Sequence, residues 1–123
     1  MSWDELTARV DWYYDGERRT RRGHVRHVAM FAWADEADEA AKRRALEAVT
    51  ELAGADEVES ATTGINVGVH PSDYDWIMDL HVADRASAER LLASEHYAHA
   101  MEPVAAATKY EWTARVTHVM RGR

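Results

Sequence analysis

Cysteine is absent from this chain of 123 residues, which removes disulfides, thiolate metal sites and thiol nucleophiles from consideration. No run approaches the roughly 18 consecutive apolar residues of a membrane-spanning helix. There is no glycine-rich phosphate loop and no Gly-x-Ser-x-Gly elbow to present a nucleophilic serine. Positive charge is outweighed: the formal net charge is -7, which argues against a general nucleic-acid binder, since such proteins gain affinity by neutralising phosphates. The opening residues Met1 to Gly16 are polar and acidic and lack the basic segment and apolar run of a signal peptide. The expectation is a cytoplasmic protein that neither enters a membrane nor grips nucleic acid. At this length one domain can bury a self-sufficient core.

What is present is organised around His24 to Trp33. Val25, His27, Ala29, Phe31 and Trp33 point one way, and Val28, Met30 and Ala32 the other. A strand apolar on both faces needs a layer on each. The helices available suffice for one, so a second copy of the chain is expected to supply the other.

Ahead of this strand, residues 1–23 read as an arm. Strand formers run from Thr7 to Tyr14, and Asp15-Gly16 is a favoured hairpin turn. Arg18, Arg19, Arg21, Arg22 and Arg26 form a basic run, read first as a solvated arm or an intermolecular ion-pair patch, with an arm for an anionic ligand or RNA as the alternative.

Downstream, Asp35 to Ala53 places Ala41, Ala45, Ala48, Val49 and Leu52 on one helical face, with Asp35 or Asp38 as the cap and Gly54 as a left-handed stop. Glu57 to Val67 is strand-like. Tyr74 to Val82 alternates, with Tyr74, Trp76, Met78 and Leu80 on one face and Asp75, Ile77, Asp79 and His81 on the other. Asp84 caps a short helix. Ser94 opens another, which carries His96, Tyr97 and His99 and which Pro103 interrupts or bends. Tyr110 to Met120 reads as a last strand with Tyr110, Trp112, Ala114, Val116, His118 and Met120 on one side. The order strand, helix, strand, strand, helix, strand is the ferredoxin-like split β-α-β: an α+β fold with an antiparallel sheet and helices on one face. Its uncovered face, expected to be aromatic and aliphatic, predicts association. Two such sheets closing face to face form a dimeric α+β barrel.

The segments VRHVAMFAW, TTGINV and YDWIMDLHVADRASAERLLASEHYAHAMEPV resemble the stress-responsive dimeric α+β barrel family, known as Dabb, over Val25 to Met120. The resemblance implies that residues 24–123 form a homodimeric barrel domain with a small-molecule cavity between sheet and helices. It brings with it the proton-transfer chemistry of olivetolic acid cyclase, a member that closes a polyketide ring with histidine and tyrosine side chains. Transferred by position, its strand-opening histidine falls on His27, and its last-helix histidine falls on His96 or Tyr97. Two positions depart: the third-strand histidine falls on Trp76, and the partner tyrosine on Leu91 or Arg90.

The resulting expectation is a small-molecule enzyme without cofactor or metal, acting by proton transfer on an aromatic or polyketide-like compound as a cyclase, isomerase or lyase. His27 would be the base and His96 or Tyr97 its partner. Trp33, Asn66, Tyr74 and Trp76 would bind substrate. A cofactor-free monooxygenase, using the tryptophans as wall and Asn66 to hold a phenolic oxygen, is a second reading. A ligand-binding or stress protein without turnover is a third. Asp79 beside His81 could orient an imidazole or form an ion pair. His96 and His99, three apart on a helix, complete no metal motif.

Overall fold

A computed structural model describes residues 24–120. The arm of residues 1–23, with its expected hairpin and Arg18 to Arg22, lies outside the described residues.

Four strands form one antiparallel sheet: β1 (Val25–Phe31), β2 (Val58–Ile65), β3 (Trp76–Val82) and β4 (Ala114–Val119), in the spatial order β2-β3-β1-β4. Three helices are described: α1 (Glu39–Glu51) between β1 and β2, then α2 (Arg85–Leu92) and α3 (Glu95–Ala107) between β3 and β4. The class is α+β with the ferredoxin-like topology.

Strand period assigns the two faces. On β1, Val25, His27, Ala29 and Phe31 are buried while Met30 is exposed. On β3, Trp76, Met78, Leu80 and Val82 are buried. These eight positions make the floor of the core. Ala45, Val49 and Leu52 of the first helical segment and Leu91, Met101 and Val104 from α2 and α3 pack down on them.

Each helix begins where a side chain can replace a missing backbone partner. The Asp38 carboxylate accepts from the Ala41 amide, Asp84 from Ser87 and the Ser94 hydroxyl from Tyr97. Asp38 is therefore the cap of α1, and Asp35 instead faces Lys109 at 3.4 Å.

Several sequence expectations need correction. The first helix starts at Glu39 rather than Asp35 and tightens into a 3-10 turn over Leu52–Gly54. Gly54 is no left-handed stop, since among the described residues Gly68, at φ 79°, is the positive-φ glycine. Pro103 lies inside α3 without interrupting it. The helix loses one backbone donor there but stays packed through Met101 and Val104.

The expected last strand is shorter, because Tyr110–Trp112 form a 3-10 turn with Trp112 N–H on the Lys109 carbonyl at 2.9 Å. Tyr110 and Trp112 thus do not share a strand face with Ala114, Val116 and His118. The uncovered sheet face is also less apolar than expected. Val28, Met30, Ile77 and Val116 share it with Arg26, Asp79, His81 and His118. The aromatics of β1 and β3, Phe31 and Trp76, lie on the covered face instead. Arg26 is ion-paired with Asp79, which His81 approaches at 3.6 Å.

Two substitutions probe this architecture by urea unfolding. Leu80→Ala, at a fully buried position, is expected to cost about 2–5 kcal/mol. Asp84→Ala removes a cap and is expected to cost about 1 kcal/mol. A loss at Leu80 no larger than that at Asp84 would contradict the placement of the core.

Candidate functional site

His27 is a polar residue in the floor of an apolar core, at 4% exposure. It is there because strand parity places it between Val25 and Ala29, all on the covered face. One ring nitrogen is satisfied: Nδ1 lies 2.6 Å from Thr117 Oγ1, directly across the β1-β4 pairing. The other, Nε2, is buried with no hydrogen-bond partner among the described residues. When Nδ1 donates to Thr117, Nε2 carries the free lone pair. Burial first, and then the charge of Arg115, push the imidazole pKa down to about 4. The ring is neutral at physiological pH.

Over this ring stands Tyr97, with ring centroids 6.3 Å apart and planes at 80°. Its position follows from the Ser94 cap, which starts α3 in a phase that turns Tyr97, Met101 and Val104 to the sheet. Burial pushes the Tyr97 phenol up to about 12, reinforced by Tyr110 and opposed by Arg115. It therefore remains protonated.

The end of α3 is tied to the end of β1 by two backbone bonds, Ala34 N–H to the Ala107 carbonyl and Lys109 N–H to the Ala32 carbonyl. That tie delivers Tyr110 to the core edge, stacked on Phe31 at 6.4 Å. The stack continues through Phe31 and Trp76 at 4.4 Å and Trp76 and Trp33 at 5.0 Å. Arg115 caps its other end, 4.8 Å above the Tyr110 ring. A neutral imidazole, a protonated phenol and a guanidinium thus meet beside an aromatic wall.

Of the residues singled out from the sequence, His27 and Tyr97 come together here. His96 is exposed and is not brought to His27. One residue along a helix is a turn of about 100°, and Tyr97 holds the inward phase. Trp33 and Trp76 belong to the wall. Tyr74 and Asn66 lie further along, on a separate cleft of about 430 Å³ that Trp76, Met30, Ile65 and Val67 also line.

In that cleft the Asn66 amide is engaged by its own turn, donating to the Tyr74 carbonyl and accepting from Gly68 N–H. The Tyr74 hydroxyl donates to the Trp112 carbonyl at 3.1 Å. Asp79 and His81 lie on the opposite sheet face from His27. His99 faces Glu102 at 3.6 Å, and no metal-holding cluster of three or more such side chains exists among the described residues.

Sequence reasoning missed Thr117, Arg115 and Tyr110. The signal was parity. Arg115, Thr117 and Val119 pair with Ala29, His27 and Val25, so the polar side of this strand, not its Val116 side, shares the sheet face of His27, with Arg115 and Thr117 themselves exposed.

A ferredoxin-like α+β domain with a buried histidine-tyrosine site is the class defined by this arrangement. No family model and no curated protein matches the chain. Solved structures do, as likenesses of fold. A Dabb family protein from Mesorhizobium loti aligns with TM-score 0.68 and 16% identity over 81% of this chain and 99% of that one. A hydroxynitrile lyase from Passiflora edulis gives 0.73 and 10% over 82% and 96%. A dimeric ferredoxin-like protein of unknown function from Thermobifida fusca gives 0.69 and 18% over 80% and 93%. The fold of this chain is the one a Dabb family protein has. No described helix is long and apolar enough to cross a membrane.

The depressed His27 pKa ties stability to pH. Between pH 6.5 and about 4 the unfolded chain binds a proton at this residue that the folded chain does not. Its contribution is intact above pH 6.5 and is lost as pH falls through that window. From pH 7.5 to 5.0 the loss at this site should be about 2 kcal/mol. Urea unfolding of the wild type and His27→Gln at both pH values should show a smaller loss in the variant. Equal losses would place the titration elsewhere.

Proposed function

We propose that this chain is a Dabb-type enzyme that moves a proton on a small aromatic or polyketide-like compound, in lyase, isomerase or cyclase chemistry, using its own side chains. The observation that carries the reading is the pair of His27 and Tyr97. A buried neutral imidazole with an unengaged Nε2 faces a phenol held in its protonated form. In the proposed step, Nε2 takes a proton from a carbon beside a carbonyl and becomes imidazolium. The enolate oxygen accepts a hydrogen bond from the Tyr97 hydroxyl. The imidazolium then returns the proton to another atom of the substrate or to a leaving group. Thr117 fixes the ring orientation, and the wall of Phe31, Tyr110, Trp76 and Trp33 suits a planar substrate. A fold neighbour that is a hydroxynitrile lyase supports an enzyme reading of this architecture. The oxygenase alternative is less favoured, because the Asn66 amide is occupied by its turn.

The same reading includes a homodimer through the uncovered sheet face. Neighbours described as dimeric support it, as do the side-by-side Val28, Met30, Ile77 and Val116. Val116 is 58% exposed on the edge strand, and Val116→Asp should shift the species seen by light scattering from dimer toward monomer. A monomeric wild type would end the dimer proposal.

Proton transfer is tested by deuterium exchange from D2O into a panel of aryl ketones and β-diketones, each with and without a carboxylate substituent, followed by NMR. The wild type should accelerate exchange in at least one, and His27→Gln should slow it by about 10²–10⁴-fold. Tyr97→Phe should slow it as well while leaving the fold intact. Exchange that is equal in wild type and His27→Gln, or absent throughout the panel, would overturn the reading.

A further inference from the structure

Arg115 is the group at this site that proton transfer alone does not require. It stands two residues from Thr117 on the covered face of β4 and pairs across the sheet with Ala29. Its guanidinium lies over the Tyr110 ring. Among the described residues no carboxylate forms an ion pair with it, whereas Arg26 has Asp79 and Arg85 has Glu89. Its charge reaches both His27 and Tyr97, depressing the pKa of each. Among the described residues no carboxylate acts in the opposite direction on either group. The buried hydroxyl of Thr113, just ahead of β4, also lacks a hydrogen-bond partner among the described residues.

An uncompensated cation beside a neutral base is a poor arrangement for holding a neutral substrate, because it weakens that base. It is a good one for an anion. In a chain of net charge -7, an anionic ligand is repelled by the general field and must be drawn in by local positive charge. A guanidinium supplies that charge with paired donors whose planar fork matches a carboxylate. A carboxylate there would offset the charge of Arg115 as felt by His27, so binding would strengthen the base in the complex. Tyr110, with Phe31 behind it, offers ring surface beside the charge.

We propose that Arg115 is the specificity-determining residue of the site, and that the substrate is an aromatic or extended conjugated carboxylate whose carboxyl group is held by its guanidinium while the adjacent carbon skeleton lies against His27 and Tyr110. This names the substrate class of the histidine-tyrosine site and rests on its being a ligand site.

The test uses benzoate and its uncharged counterpart benzamide on the full chain, with binding followed by titration calorimetry and by the ¹⁵N resonances of the His27 imidazole. Benzoate should bind at least about tenfold more tightly than benzamide and shift the His27 signals. Arg115→Gln should abolish that preference by weakening benzoate far more than benzamide, and Arg115→Lys should restore part of it. Raising the salt should weaken benzoate binding, because β4 is an exposed edge. Equal binding of the two probes, no binding of benzoate, or a preference that survives in Arg115→Gln would overturn the proposal. The outcome separates from that of the exchange assay. Carboxylate selectivity through Arg115 without deuterium exchange would leave recognition standing and remove proton transfer. Exchange of neutral ketones that ignores Arg115→Gln would do the reverse.

Discussion

The central position of β1 is the constraint on which the rest depends. It is hydrogen-bonded to β3 on one side and β4 on the other, so its backbone is satisfied and its side chains must alternate between two environments. Val25, Ala29 and Phe31 are what a helix-covered face requires, and His27 is carried into the same layer because it cannot leave the alternation. The burial of an imidazole in this layer is thus imposed by the sheet, and it sets the chemistry. Desolvation keeps the ring neutral, and the neighbour across the pairing, Thr117, engages one of its nitrogens.

From that ring outward, the site is a gradient of polarity rather than a pocket of like groups. His27 is buried and uncharged, Tyr97 is partly buried and protonated, and Arg115 is charged on the exposed edge strand. The neutral states of His27 and Tyr97 follow from how little water their positions admit. The aromatic series from Trp33 to Tyr110 runs alongside and links the sheet end to the last strand. It also joins two regions that a sequence reading merges into one, since Trp76 belongs both to this wall and to the cleft beside Asn66 and Tyr74.

The fold was legible because its signals are periodic. Alternation in β1 and β3, the helical spacing of Ala45, Ala48, Val49 and Leu52, and the Asp84 and Ser94 caps all correspond to physical requirements that a chain must meet locally. The start of β4 was not legible. Tyr110 and Trp112 alternate as a strand would, and only the tie between the ends of α3 and β1 makes a 3-10 turn of them. His27 could be picked out as a polar residue among apolar ones. The choice between His96 and Tyr97 needed the helix phase, for which Met101 and Val104, four and seven residues beyond Tyr97, were the available clue. Arg115 and Thr117 were hidden because Val116 and His118 look the more natural inward pair. Which side of an edge strand faces inward depends on pairing with β1, and pairing is a long-range event.

β4 has six residues and, among the described strands, a single hydrogen-bonded neighbour. Were it to anneal one residue out of step, Val116 and His118 would lie on the helix side, and Arg115 and Thr117 would turn to the other surface. The sheet would still be closed by a strand of the same length, but His27 would lose its oxygen neighbour and the aromatic stack its cation. The backbone ladder between Val25–Met30 and Ala114–Val119 therefore acts as a ruler: the final strand measures the groups around His27 into place, and a molecule can be fully assembled in outline yet lack that arrangement by the width of one peptide.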